Sequence, residues 1–325
     1  MTLQRVLVTG ANGFVGSALC RFLVARGYSV VAAVRAGSSM QDETGLEVVH
    51  LNLMRDDANW REALKSVDCI VHLAANVHKM AAEPQDSDRF HQVNTVGACF
   101  VAQKAAESQV KRFVLLSSIK VNGEGSKVVR YSANDVPQPQ DAYSRSKLAA
   151  EIAVRQICEA NNMLYACIRP PLVYGPGAPA NFFRLLRLVE LGWPLPFKSV
   201  ENRRSFVGIQ NLNSFIEVCI SKASACGTWL VSDDEDISTP DLLRKLSNHL
   251  RCRLRLFSFP PGALRLAGRL IGKQAEMERL CGSLQVDIEP AFERLGWRPP
   301  VSLDEGLALT AAAFLAIRGS APRDG

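Results

Sequence analysis

The chain contains no run that approaches about 18 uncharged apolar residues, so no segment reads as a membrane-spanning helix. Its greasiest late stretch, residues 257–271, is interrupted by Pro260, Pro261, Arg265 and Arg269 and predicts a packed helix. The opening MTLQRVLVTG enters a strand directly and lacks the layout of a signal peptide. The nine cysteines include no C-x-x-C pair, which fits reduced thiols in a cytoplasm better than a disulfide framework. The five histidines stand at no ligand spacing with cysteine or carboxylate, so no metal site is expected. Aromatic residues make up only 7% and interleave with no basic stripe, which argues against nucleic acid despite a net charge of +6. That charge suits an anionic small ligand instead.

What the chain does have is alternation. The segments RVLVTG (5–10), SVVAAVR (29–35), LEVVHLNL (46–53), VDCIVHLAA (67–75) and KRFVLLSS (111–118) read as buried strands. Amphipathic helical patterns near 13–26, 57–65, 89–108 and 141–161 lie between them. YACIRPPLVYG (165–175) predicts a sixth strand ending in a proline-rich turn, and GTWLVSD (227–233) a seventh. This order predicts an α/β fold, a doubly wound parallel sheet of the Rossmann type with helices on both faces. Residues 1–175 with about 204–233 would form the dinucleotide-binding domain. Residues from about 176 to 203, with 234–318, would form a smaller, mostly helical substrate lobe, and 319–325 a flexible tail.

VTGANGFVGSAL sets Gly10, Gly13 and Gly16 at a strand-to-helix junction. Glycine permits the turn and lets N–H groups at a helix start approach a pyrophosphate. Asn12, Phe14 and Val15 lie between and beside these glycines and would line the same ligand. At the end of the second strand an acid would hold the ribose 2′-OH of NAD, whereas an arginine accommodates a 2′-phosphate. Arg35, followed by Gly37, Ser38 and Ser39, therefore favours NADP(H), although an arginine at a strand end can also be merely solvated.

Tyr143 precedes Lys147 by four residues in DAYSRSKLAAE, which places both on one helix face. A tyrosine near pKa 10 is a poor base at neutral pH. An ammonium about 4 Å away at an effective dielectric of 20 contributes about 4 kcal/mol, roughly three pKa units. That would let the phenol exchange a proton with a sugar hydroxyl or ketone. Ser118, at the C-terminal end of the fifth strand, would hold the same oxygen.

In order, the chain carries Gly10-x-x-Gly13-x-x-Gly16, HLAA (72–75), VNTVG (93–97), LLSS (115–118), Tyr143-x-x-x-Lys147 and RPPLVYGPG (169–177). By this ordered set, which covers nearly the whole chain, it resembles the extended short-chain dehydrogenase/reductases. The resemblance implies that Asn94 helps a proton relay and that Asn52 and Leu53 border the adenine, although Asn52 replaces the usual aspartate. It implies that Leu73, Ala74, Ala75 and Val77 line the cofactor, with Pro170 and Leu172 near the nicotinamide.

Within that family the chain looks closest to the nucleotide-sugar branch that contains UDP-galactose 4-epimerases. SSIKVNGE and PANFFRLLRLVELGWPLPF resemble bacterial reductases that form UDP-N-acetylquinovosamine. In NRRSFVGIQNL, Arg204 falls where the branch grips the substrate diphosphate, and Asn181 where it often contacts the sugar nucleotide. Sugar 4,6-dehydratases of the family carry an acid pair where this chain has Ile119 and Lys120, so elimination is not expected. Lys120 could face an anionic substrate or be solvated.

The expected function is an NAD(P)-dependent oxidoreductase at C4 of a UDP-sugar, most simply a 4-ketoreductase of surface-polysaccharide synthesis. NADP(H) is favoured, and NAD(H) is also allowed. A UDP-hexose 4-epimerase is the alternative, and a non-catalytic dinucleotide sensor is the remote one, disfavoured because Ser118, Tyr143 and Lys147 are all kept. No nucleic acid and no membrane span are expected as partners, and a homodimer is allowed.

Overall fold

Val6 and Val8 of the first strand point into one apolar cluster and Leu7 into another, on opposite faces of a single sheet. A strand buried on both sides must be apolar throughout, which is why this sheet reads as continuous Val/Leu/Ile runs. The computed structural model describes residues 4–38, 40, 42, 44–55, 58–76, 85–126, 129–178 and 180–319. The side chains at 58, 85, 86, 180, 181 and 319 lie outside the description.

The strands are β1 (Arg5–Thr9), β2 (Ser29–Val34), β3 (Leu46–His50), β4 (Cys69–His72), β5 (Arg112–Leu116), β6 (Leu164–Arg169), β7 (Leu172–Tyr174), β8 (Pro194–Leu195), β9 (Phe206–Gly208), β10 (Gly227–Leu230) and β11 (Arg255–Leu256). The helices are α1 (Phe14–Ala25), α2 (Ala58–Ala63), α3 (Gln85–Phe90), α4 (Gly97–Glu107), α5 (Ala142–Ala160), α6 (Ala180–Glu190), α7 (Ile209–Ser221), α8 (Thr239–His249), α9 (Pro261–Leu270), α10 (Gln274–Cys281), α11 (Glu289–Leu295) and α12 (Leu303–Gly319). A π-helical turn, His91–Val96, joins α3 to α4, so the single helix expected over 89–108 is three segments.

Seven strands form a parallel sheet in the order β10-β6-β5-β4-β1-β2-β3. The chain winds outward from β1 in one direction, then returns to β4 and winds outward in the other. β1 and β4 are neighbours, so the order reverses between them and a crevice opens at their carboxyl ends. The seven-stranded Rossmann sheet expected from the sequence is thus present.

One expectation needs correction. The segment 165–175 is not one strand: β6 ends at Arg169, and β7 leaves the sheet to pair with β9. Pro170 and Pro171 have no N–H to donate and end the ladder between the two. The strands expected over 46–53 and 67–75 are also shorter, stopping at His50 and His72.

On one face, α1 and α7 bury Leu19, Leu23, Leu212 and Phe215 against the sheet, joined by Leu284, Val286 and Trp297 from late in the chain. On the other, Trp60, Val101, Ala150 and Val154 come from α2, α4 and α5. A third cluster gathers α6, β8, α8, α9 and α12 around Phe182, Leu195, Leu243 and Leu307. Among the described residues no helix is long and apolar enough to cross a membrane.

Candidate active site

The turn after β1 is built without room for side chains. Gly10 has φ +69°, and a β-carbon there would lie 2.9 Å from the backbone nitrogen of Ala74. A β-carbon on Gly16 would collide with the Gly10 carbonyl, and one on Gly13 would approach it to 3.2 Å. The Gly13 N–H donates to the Gly10 carbonyl at 3.0 Å, which closes the turn. Gly13 caps α1 without any side-chain hydrogen bond, and the first turn holds no acid. The uncapped N–H groups of Phe14, Val15 and Gly16 thus begin a helix at the crevice, an arrangement that fits a pyrophosphate.

The opposite wall is the loop after β4. Thr9 Oγ1 accepts from the N–H groups of Leu73 and Ala74 at 3.2 and 3.3 Å and pairs with His72 Nδ1 at 2.9 Å. Burial, with a smaller push from Lys147, lowers His72 to about 3, so it stays neutral. Asn94, in the π-turn, accepts from the Asn76 N–H at 2.7 Å and donates to the Asn76 carbonyl and to Ser146 Oγ. Its amide thus staples the Leu73–Asn76 loop to α5. Val77 lies outside the described residues.

Ser118 follows β5 and Tyr143 opens α5. Asp141 caps that helix through a reciprocal pair with Ser144, its carboxylate accepting the Ser144 N–H at 2.7 Å. Such a cap contributes about 1 kcal/mol and fixes the turn that carries Tyr143. The Tyr143 hydroxyl lies close enough to Ser118 for that side chain to hold its pKa down, and its ring rests edge-on against Phe90. Lys147, one turn on, is buried and donates Nζ–H to the Leu116 carbonyl at 2.6 Å. All three side chains expected at the reacting centre therefore converge on the end of β5.

The electrostatics differ from the sequence expectation. Burial pushes the Tyr143 hydroxyl up to about 12; the Ser118 hydrogen bond opposes that rise and Asp141 adds to it. The Lys147 ammonium is spent on a backbone carbonyl, and burial brings it down to about 8, against the opposing pull of Cys167 and Glu151. In the free protein Tyr143 is a held proton donor, not a half-ionised phenol.

Lys120 is half-buried and already paired. Its Nζ lies 2.7 Å from both Glu124 and Asp141 and so ties the 3₁₀ turn after Ser118 to the start of α5. Burial raises Asp141, but hydrogen bonds from Lys120 and Ser144 outweigh it and hold the carboxyl at about 2. The sequence reading also left out a buried pair behind the site. Glu151, four residues beyond Lys147, receives Arg169 at 2.6 Å, and Arg169 Nη1 reaches Asn122 at 3.0 Å. The spacing Tyr143, Lys147, Glu151 along one helix face was the available signal.

Arg204 stands just before β9 and reaches the residues that follow α10. Its backbone pairs with Ile237, and Nη1 donates to the Gly282 carbonyl at 3.0 Å. Burial lowers it to about 10, the Arg279 cation lowers it further and Glu124 acts in the opposite sense. Arg279 was missed in the sequence, and among the described residues it makes no ion pair. Arg279 thus adds a second, repelling cation near Arg204 in a partly buried setting.

The remaining candidates are spread around the crevice. Asn12 Nδ2 reaches Ser38 Oγ at 3.1 Å, across from exposed Arg35 at the end of β2. Asn52 is exposed; its side chain accepts from the Met54 N–H and its carbonyl from Trp60, while Leu53 beside it is half-buried. Ala75 is half-buried in the loop pinned by Asn94. The Pro170 carbonyl accepts the Ile119 N–H at 3.0 Å, and Leu172 is exposed. Asn181 lies in α6 with its side chain outside the description.

The profile described as the NAD dependent epimerase/dehydratase family matches residues 6–225. The chain is 41% identical over 317 residues to a UDP-glucose 4-epimerase of Vibrio cholerae, with 96% of each chain covered. It is 27% identical to a 2-alkyl-3-oxoalkanoate reductase of Stenotrophomonas maltophilia, with 94% of this chain and 97% of the relative covered. In fold it resembles the UDP-glucose 4-epimerase of Thermotoga maritima solved with UDP-glucose, at TM-score 0.77 and 21% identity, covering 97% of this chain and 100% of the other. It likewise resembles a Bordetella bronchiseptica enzyme solved with NAD and UDP, at TM-score 0.76 and 18% identity, covering 97% and 96%.

Proposed function

Because this chain belongs to the NAD dependent epimerase/dehydratase family, we propose that it moves a hydride at C4 of a UDP-sugar and that its net reaction is reduction of a 4-keto sugar by NADPH. The observation that carries the C4 redox reading is the convergence of Ser118, Tyr143 and Lys147 at the end of β5. A bound nicotinamide dinucleotide supplies the hydride, and the rest falls to the protein.

Ser118 donates a hydrogen bond to the ketone oxygen and Tyr143 gives that oxygen its proton as the alcohol forms. Protonated Lys147 favours the phenolate that remains, and solvent returns the proton. Ile119 and Lys120, the latter held by two carboxylates, offer no acid–base pair for dehydration. Arg204 and Arg279 would grip the diphosphate, and Asn181 the sugar nucleotide. Gly10, Gly13 and Gly16, with α1, would receive the pyrophosphate, and Asn94 would keep the facing loop in place. We assign residues 1–175 and 204–233 to cofactor binding and the rest to the substrate lobe, in a cytoplasm suited to nine free thiols.

Arg35, exposed at the end of β2 where an acid would select NAD, is what supports NADPH. The second reading, 4-epimerisation with retained NAD, is favoured by the similarity to the Vibrio cholerae UDP-glucose 4-epimerase. Incubation with a UDP-4-keto-6-deoxy-HexNAc and NADPH, followed at 340 nm, separates them. Stoichiometric NADPH oxidation by protein purified without cofactor supports reduction. Tightly bound NAD, with interconversion of UDP-hexoses in the absence of added cofactor, overturns it in favour of epimerisation.

A further inference from the structure

Residues 250–273, LRCRLRLFSFPPGALRLAGRLIGK, hold six cationic side chains and no acid, matching the whole chain's net charge of +6. The structure sorts them onto an outer surface. Along 251–257 the exposure alternates: Arg251, Arg253, Arg255 and Phe257 face out, while Cys252, Leu254 and Leu256 pack on the third apolar cluster, and Phe259 beyond is exposed as well. A period of two therefore places three arginines and Phe257 on one face of this extended segment, with exposed Phe259 following.

Pro260 and Pro261 lead directly into α9. That helix buries Leu264 and Gly268, one turn apart, and leaves Leu266 and Leu270 59% and 81% exposed, beside Arg269. The next residues, Ile271 and Lys273, are exposed as well. Trp193, 63% exposed, precedes β8, the strand partner of β11. Arg265 is engaged with Glu278, but Arg251, Arg253, Arg255, Arg269 and Lys273 make no ion pair among the described residues. The sequence predicts a packed helix over 257–271; the helix is packed on one side only.

Large exposed apolar side chains interleaved with unpaired cations fit one partner chemistry, a surface that is anionic outside and apolar just beneath. We propose that this face of the substrate lobe docks on an anionic phospholipid membrane, α9 and the 251–259 segment lying in the headgroup layer. A symmetric pairing of two copies would set cation against cation, which disfavours it. The proposal is independent of the sugar reaction, since none of these residues belongs to the site.

The test is sedimentation of the full-length protein with phosphatidylcholine vesicles, with or without a quarter of phosphatidylglycerol. Binding to the anionic vesicles only, weakening as salt rises, is expected. Each basic residue at such a surface contributes roughly fivefold, so R253E/R255E should lower partitioning at least tenfold. L266S/L270S should also lower it, with turnover of soluble substrate unchanged in both variants. No binding to anionic vesicles at low salt, or binding that both variants retain, overturns the proposal. A wild-type dimer that L266S/L270S converts to monomer, without vesicle binding, assigns the face to a second copy and overturns it too.

Discussion

Glu151 and Arg169 form a buried pair with Arg169 Nη2 2.6 Å from the carboxylate and Nε 3.1 and 3.2 Å from its two oxygens. One helical turn earlier on α5 stands Lys147, and the Asn122 that Arg169 also holds follows the 3₁₀ turn after Ser118. The pair thus ties together the helix bearing Tyr143, the turn bearing Ser118 and the end of β6. Glu151→Gln should leave Arg169 as a buried, poorly compensated cation and cost about 3–5 kcal/mol. Thermal unfolding measures this, and an unchanged midpoint would show the pair to be dispensable.

Lys147 makes the opposite prediction. Its charged form is disfavoured by burial, with the folded pKa about 8 against a reference of 10.5. Between those values the unfolded chain binds the proton and the folded one does not, so this group makes stability rise with pH across that window. Lys147→Met should therefore abolish turnover without lowering the melting temperature at pH 7, and should flatten the rise above pH 8. A variant that is both inactive and markedly less stable contradicts the assignment.

His72, held at about 3 against 6.5, governs the acid side. Its folded pKa is depressed, so stability falls as pH drops from about 6.5 toward 3. His72→Asn should shallow that decline, as measured by denaturant midpoints between pH 7 and 4. An identical pH profile in the variant would place the acid sensitivity elsewhere.

Much of this was legible in the sequence. The parallel sheet and the glycine turn could be read because buried strands are apolar throughout and because a β-carbon at Gly16 would meet the Gly10 carbonyl. Ser118, Tyr143 and Lys147 could be placed from strand end and helix spacing. What could not be read was the pairing that depends on distance through space. Lys120 finds Asp141, Arg204 bonds the Gly282 carbonyl, and Lys147 bonds the Leu116 carbonyl, each set by packing of elements remote in sequence. The split of 165–175 was visible in Pro170–Pro171, but the pairing of β7 with β9 was not.

Arg35→Asp should weaken NADPH binding and relatively improve NADH, because a carboxylate would then face the 2′-phosphate. Fluorescence titration with both dinucleotides checks this. Tighter binding of NADH than NADPH by the wild type would contradict the cofactor proposal, and with it the preference for net reduction.

The central claim is that Tyr143, set beside Ser118, delivers the proton at C4. The most direct measurement is the turnover of Tyr143→Phe beside its dinucleotide affinity. Loss of the hydroxyl should lower kcat by about 10²–10⁴-fold while dinucleotide binding stays nearly intact. A phenylalanine variant that turns over within about threefold of the wild type would contradict the account.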